Sequence, residues 1–288
     1  MIFNNNFKKI FLAKYYNLKS GQIALLLMYH SKQTALTKFD KIAVSEYFYS
    51  LQGEGRTMGI PAIFLRLTGC NLMCGGYGVE KDGIMRDAAT WICDTIAVWI
   101  KGTTYNFEEL TELLNQQLDF VKRLNEGVHL VITGGEPLLQ QSRIVAYLEY
   151  LEKEYSCRPI LEIETNATIL PSAELDSRVH YWNTSPKLKN SGMPEKERIK
   201  PEVLRFFYEN SRTMFKFVIS EKADWEEIKT DFIDTGFAKK EQLVLMPAAD
   251  SLENLLKKNQ LVAEICIQHQ IRMCTRLHVE IWNQLTGV

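Results

Sequence analysis

From residue 41 onward the apolar positions fall into short runs separated by helix-periodic or polar stretches. The runs "KIAVSEYFYS" (41–50), "AIFLRL" (62–67), "VHLVIT" (128–133) and "ILEIET" (160–165) predict strands. So do "VHYWNTS" (179–185), "MFKFVIS" (214–220), "QLVLMP" (242–247) and "RLHVEIW" (276–282). Most are short, aliphatic or aromatic, and bounded by Gly, Pro, Asn or Ser. Between them lie helical patterns. In residues 106–124, Leu110, Leu113, Leu114, Val121 and Leu124 lie near one stripe, with Leu118 slightly off it. Asn106 is the expected N-cap, with Glu109 three positions later and Gly127 after the end. Segments 137–153, 198–210, 223–234 and 251–270 read similarly. Strand–helix alternation of this kind predicts an α/β fold, a parallel sheet covered by helices, open or closed into a barrel. Ligands then belong at the carboxyl ends of the strands.

Residues 1–40 are polar and poorly patterned and read as an N-terminal extension, with Met28 an alternative start. Residues 41–288 contain no linker that would divide them and are expected to form a single domain. The apolar runs "IALLLM" and "PAIFLRL" are too short to cross a bilayer, so no membrane association is expected. The formal net charge of −1 provides no global basic field for nucleic acid. Six cysteines in 288 residues are too sparse for a disulfide scaffold and point to the reducing cytoplasm.

Three of those cysteines, Cys70, Cys74 and Cys93, lie in "GCNLMCGGYGVEKDGIMRDAATWICDT" (69–95). Thiolates at such spacing bind zinc, an iron–sulfur cluster, or nothing. A structural zinc site wants four ligands, and no histidine is placed as a close partner to Cys93. A cubane cluster on three thiolates leaves one iron for a small molecule. Lengthening the closed loop from about 3 to about 19 residues costs roughly 1.6 kcal/mol. The long spacer therefore excludes none of these readings.

The flanking blocks narrow the choice. The run "SEYFYSLQGEG…GIPAIFLRLTGCN", then "CDT" (93–95), "VITGGEPLL", "EIETNAT", "NTSPKL" and the ending "RLHVEIWNQLTGV" resemble, in order, the 7-carboxy-7-deazaguanine synthase family of radical S-adenosylmethionine (SAM) enzymes. The resemblance spans residues 42–288. It implies an incomplete β/α barrel of the radical SAM type, a [4Fe-4S] cluster, SAM and Mg2+. The family generally shows C-x₃-C-x₂-C, whereas an insertion here separates Cys74 from "WICDT". Cys93, followed by Asp94 and Thr95, is identified as the displaced third ligand.

The resemblance carries further expectations. Cys70, Cys74 and Cys93 would hold the cluster, and Thr95 the magnesium ion. Asp94, Gly135, Glu164, Ser185, Pro186 and Lys187 would contact SAM, with Asn166 also near the ribose. Leu51, Gln52, Gly53, Glu54, Arg66, Thr133, His278 and Val288 would contact the substrate, 6-carboxy-5,6,7,8-tetrahydropterin. A guanidinium amid an apolar strand suits a carboxylate, although a structural salt bridge is the plainer reading of Arg66. A lone histidine such as His278 is more often a satisfied core residue. Cys157, Cys266 and Cys274 match no motif and are expected to be buried small side chains. A flavodoxin or ferredoxin would supply electrons, and a homodimer is expected. Two alternatives stand beside this reading: a glycyl-radical-enzyme activase, and a module holding structural zinc.

Overall fold

The computed structural model describes residues 39–76, 89–285 and 287. Residues 1–38 of the expected extension, 77–88 of the insert, and Val288 lie outside the described residues. The stretch Lys41–Val288 clusters as one unit. It opens with an antiparallel pair, β1 (Lys41–Leu51) and β2 (Pro61–Leu67). The segment after the insert begins with a short helix, α1 (Ile96–Trp99). β3 (Thr103–Asn106) follows and pairs antiparallel with β1. Helices α2 (Phe107–Leu118) and α3 (Phe120–Asn125) then lead to β4 (His129–Gly134).

Alternation dominates the rest of the chain. A 3-10 turn (Pro137–Gln140) and α4 (Gln141–Tyr155) precede β5 (Leu161–Thr165), and α5 (Ala173–Asp176) precedes β6 (Tyr181–Thr184). Helices α6 (Glu195–Arg198) and α7 (Pro201–Glu209) precede β7 (Thr213–Ile219). α8 (Ala223–Ile228), continued by a π turn (Lys229–Ile233), leads to β8 (Leu243–Pro247). The chain continues through α9 (Leu252–His269), β9 (Arg272–Met273) and α10 (Leu277–Trp282). The strand order is β3-β1-β2-β4-β5-β6-β7-β8-β9, parallel at every step from β2 to β9. This open order makes the fold a partial β/α barrel.

Aliphatic runs form the central strands because both faces are covered. Leu130, Val131, Ile132, Ile163, Phe215, Phe217, Val244 and Leu245 are all essentially inaccessible to solvent. Cys157, Cys266 and Cys274 are buried free thiols, as expected. Cys274 packs with Met214, Val244 and Met246. No described helix is long and apolar enough to cross a membrane.

Two expected elements differ. The pattern over 106–124 forms two helices, because Asp119 takes a left-handed conformation at φ 50°. Asn115 supports the break by accepting from the Val121 amide at 2.9 Å. The kink accounts for Leu118 falling off the stripe. Asn106 caps α2 as anticipated, accepting from the Glu109 amide at 2.8 Å. The second difference is "RLHVEIW", which is helical rather than extended, with Glu280 N–H donating to Arg276 O at 3.0 Å. Seven residues alternating Leu, Val and Ile with polar neighbours satisfy either period, and length does not arbitrate.

Candidate active site

Two groups of side chains gather at the carboxyl ends of the strands. The first surrounds the three cysteines. Cys74 is buried and Cys70 and Cys93 half-buried, packed with Leu72, Met73, Trp91 and Met193. The base of the insert is pinned shut. Cys93 N–H donates to Cys74 O at 3.2 Å, Gly75 N–H to Ser191 O at 2.9 Å, and Thr90 N–H to Asn190 O at 2.9 Å. A Cβ on Gly75 would sit 2.7 Å from Ile92 Cα, so the two stems meet where only glycine fits. Eighteen intervening residues thus leave Cys93 beside Cys74.

The backbone of "TGGEP" presses against this loop. A Cβ on Gly135 would lie 2.3 Å from Gly69 O and 2.5 Å from Cys70 Cβ. Glu136 N–H donates to Gly69 O at 2.9 Å. The Glu136 carboxylate is fully buried and accepts from Asn166 N (2.7 Å), Leu138 N (3.0 Å) and Thr165 Oγ1 (2.9 Å). Burial pushes Glu136 up to about 7 against those donors. Asn71 completes the latch, accepting from Asn166 Nδ2 at 2.9 Å and donating to Thr168 Oγ1 at 2.8 Å. Lys187 donates to Ser185 Oγ at 3.1 Å and sits 5.7 Å from the Trp91 ring centroid.

These thiols fit an iron–sulfur cluster by the chemistry of the donor set. Burial pushes Cys70 up to about 11 and Cys74 up to about 12, while the Lys187 charge pulls both down. Buried thiols of this kind gain most from a metal that replaces their protons. Among the described residues no three His, Cys, Asp or Glu side chains crowd closely enough for a single ion. The three cysteines nevertheless belong to one packed cluster, and three thiolates are the donor set of a multinuclear cluster rather than of a structural zinc ion. The Thr95 hydroxyl lies 3.4 Å from Cys93 Sγ and makes no capping bond to α1. A hard oxygen donor is therefore present where magnesium was expected.

We expect Gly135→Ala to lower both iron content and the thermal midpoint. The added methyl meets backbone rather than a movable side chain, and overpacking of that kind costs about 1–3 kcal/mol. Iron per chain after anaerobic reconstitution, beside a thermal melt, measures both effects.

The second group is polar. Thr133 Oγ1 donates to Glu164 Oε2 at 2.8 Å, and Gln52 Nε2 to Glu164 Oε1 at 3.2 Å. Gln52 Oε1 in turn accepts from Glu54 N at 3.2 Å. Glu54 is 12 % exposed and is held by Lys216 on β7 and, at 3.0 Å, by Arg276 Nε. Burial opposes the Glu54 charge, but Lys216, then Arg276, outweigh it and hold the carboxyl well below the usual range. The His278 ring stacks on Gly53, where a Cβ would come within 2.2 Å of Nδ1. Its Nε2 is 3.9 Å from Glu54, and burial lowers its basicity, favouring the neutral ring. A further buried carboxylate, Glu162, is satisfied by His129, by Thr57 at 2.6 Å and by Asn183 at 2.9 Å.

The structure thus brings together Gln52, Gly53, Glu54, Thr133 and His278, and adds Glu164, which was expected at the cofactor. Asp94, also expected there, turns its carboxylate to Arg276. His278 lies on α10 rather than on a strand. Arg66 pairs through Nε with Glu46 at 2.6 Å, the salt bridge that its apolar surroundings call for. A register shift between Val44 and Glu46 sets Glu46 opposite Arg66. Leu51 stands apart, lining a shallow hollow of about 440 Å³ with Tyr49, Pro61 and Trp282. Ser185, Pro186 and Lys187 follow β6 directly, and Ser185 N–H donates to Thr165 O at 2.7 Å. Lys216, Arg276, Glu136 and Asn71 were not singled out by the sequence. For Lys216 the signal was present: a lone lysine amid "MFKFVIS" is as conspicuous as Arg66 in its strand.

A partial β/α barrel with a three-thiol pocket at its strand ends defines the chain as a radical SAM enzyme. No family model matches the chain. It is 31% identical over 251 residues to the 7-carboxy-7-deazaguanine synthase of Pyrobaculum aerophilum, covering 86% of this chain and 97% of that protein. It is 28% identical over 262 residues to the synthase of Halobacterium salinarum, covering 84% and 91%. The crystal structure of QueE from Escherichia coli superimposes with a TM-score of 0.56 at 22% identity, over 84% of this chain and 98% of that one. The chain belongs to the 7-carboxy-7-deazaguanine synthase family.

Proposed function

We propose that this chain converts 6-carboxy-5,6,7,8-tetrahydropterin to 7-carboxy-7-deazaguanine with loss of ammonia, in 7-deazapurine biosynthesis. The observation that carries the reading is the pairing of the thiol pocket with the Glu54–Lys216–Glu164 group on one end of the sheet. A reduced cluster bound there would supply the single electron that radical chemistry on SAM and the pterin requires. Cys70, Cys74 and Cys93 hold the cluster in this reading, and Thr95 contributes to a magnesium site. Gly135, packed on the cysteine loop, borders the SAM methionine end in this reading, and Ser185-Pro186-Lys187 borders the same space.

The pterin's guanine-like edge carries N–H donors, and ionised acceptors must meet them. Glu54, kept ionised by Lys216 and Arg276, fills that role, with Glu164 and Gln52 beside it. Thr133 orients Glu164, and His278 closes over Gly53. Arg66, steadied by Glu46, meets the substrate carboxylate. Leu51 lends backbone, and Val288 belongs to the block that approaches the substrate. We further propose a cytoplasmic homodimer of single-domain subunits (41–288), reduced by a flavodoxin or ferredoxin.

Binding without turnover tests the substrate class. Equilibrium dialysis of reconstituted, unreduced protein with SAM and Mg2+ is expected to retain 6-carboxytetrahydropterin and to release tetrahydropterin lacking the carboxylate. Equal retention of both would remove the carboxylate from the recognition argument.

A further inference from the structure

Arg276 stands where three separate segments meet. Nε donates to Glu54 Oε1 at 3.0 Å, Nη1 to Ala249 O, and Nη2 to Asp94 Oδ2. Glu54 belongs to the β1–β2 loop, Ala249 follows β8, and Asp94 adjoins Cys93. The Arg276 side chain is 13 % exposed and that of Glu54 12 %, so their bond is well shielded from water, whereas the Asp94 side chain is 45 % exposed. Leu277 N–H, the next residue, donates to Gly53 O at 3.0 Å and docks the start of α10 on the same loop. We propose that Arg276 is a positioning residue that fixes the substrate-side carboxylate Glu54 relative to the cluster-bearing Cys93–Thr95 turn. The inference rests on the pterin reading for its kinetic consequences but not for its structural ones.

The argument is geometric. A planar fork presents several N–H donors in fixed directions, and here three of its nitrogens serve three acceptors on three segments. A lysine ammonium is a compact point charge and cannot span them. Lys216 would still hold Glu54 ionised without Arg276, so what is lost is the orientation of Glu54 against the turn. The pterin and the abstracting radical must meet at near-contact distance, where a displacement of about 1 Å costs on the order of 10²-fold.

The test compares wild type, Arg276→Lys, Asp94→Asn and the double variant as reconstituted full-length chains. Hydrogen–deuterium exchange is expected to rise in residues 52–55 and 94–99 together in Arg276→Lys. In Asp94→Asn it is expected to rise mainly in residues 94–99. With pterin, Arg276→Lys is expected to raise KM about tenfold or more, and to accumulate 5′-deoxyadenosine without product. The double variant is expected to be no worse than Arg276→Lys, because both cut one link. Exchange unchanged in both segments, or strictly additive kinetic effects, would overturn the clamp. If wild type does not turn over the pterin, the functional reading fails while the exchange experiment still decides the clamp.

Discussion

Replacing Cys93 by alanine is expected to give a protein that takes up little iron, lacks the brown colour of the wild type, and makes no detectable product. Two thiolates, Cys70 and Cys74, do not hold a cubane cluster against solvent. The neighbouring Cys74 is buried and its thiol sits at about 12, so the remaining pair has little tendency to ionise alone. Cys266→Ala provides the comparison. That thiol lies on the buried face of α9, outside the cluster of Cys70, Cys74 and Cys93, and its loss is expected to leave iron content unchanged. Iron per chain and the visible spectrum separate the two variants. An iron-replete Cys93→Ala protein would remove Cys93 from the ligand set and return the insertion to an open question.

Lys216→Met is expected to reduce product formation about 10²-fold or more, with cluster content retained. Lys216 is 9 % exposed and lies between Glu54 and Glu164, whose charges raise its own pKa. Removing one member of a buried ion pair costs about 3–5 kcal/mol where the other charge is left alone, and less than that here because Arg276 still pairs Glu54. The pH profile gives a signature that a packing defect would not. In the wild type Glu54 stays ionised far below neutrality, because Lys216 and Arg276 depress its pKa. Without Lys216 that pKa rises. The ionised acceptor is then lost at higher pH, and an acid limb moves up toward the ordinary carboxylate range. Lys216→Arg, which keeps the charge, is expected to move the limb back down. An identical acid limb in wild type and Lys216→Met would detach Lys216 from Glu54.

The sheet was legible because its strands announce themselves locally. "VHLVIT" and "MFKFVIS" are too short and too β-branched or aromatic for exposed helices; Gly127 and Gly134 bracket the first, and Ser220 ends the second. The family resemblance singled out Thr133, Glu164 and Ser185, and each lies at the carboxyl end of a strand or directly after one. The misread "RLHVEIW" shows the limit of periodicity. Its helix is set by the docking of Leu277 N–H on Gly53 O, a contact between positions far apart in sequence. Arg66 shows a second limit. Its partner Glu46 depends on a register shift in β1, and a one-residue bulge leaves no mark in composition. Lys216 and Arg276 show the third. The pairing of Lys216 with Glu54 spans 162 positions, and that of Arg276 spans 222. A single sequence reveals that such a charge needs a partner but not which one.

Glu164 and Asp94 make the same point within the site. Each adjoins a cofactor-side motif residue, yet each side chain turns to the polar group around Glu54. Alternation along β5 decides this for Glu164: the Thr165 side chain faces the Glu136 latch, while Glu164 faces Thr133 and Gln52.

The central claim is that one end of this sheet both holds a radical-generating cluster and presents the pterin to it. A single-turnover assay of anaerobically reconstituted protein tests it most directly, with dithionite, SAM, Mg2+ and 6-carboxytetrahydropterin supplied together. The account predicts 7-carboxy-7-deazaguanine and ammonia in equal amounts, with SAM recovered. A protein that cleaves SAM while leaving the pterin intact would contradict it.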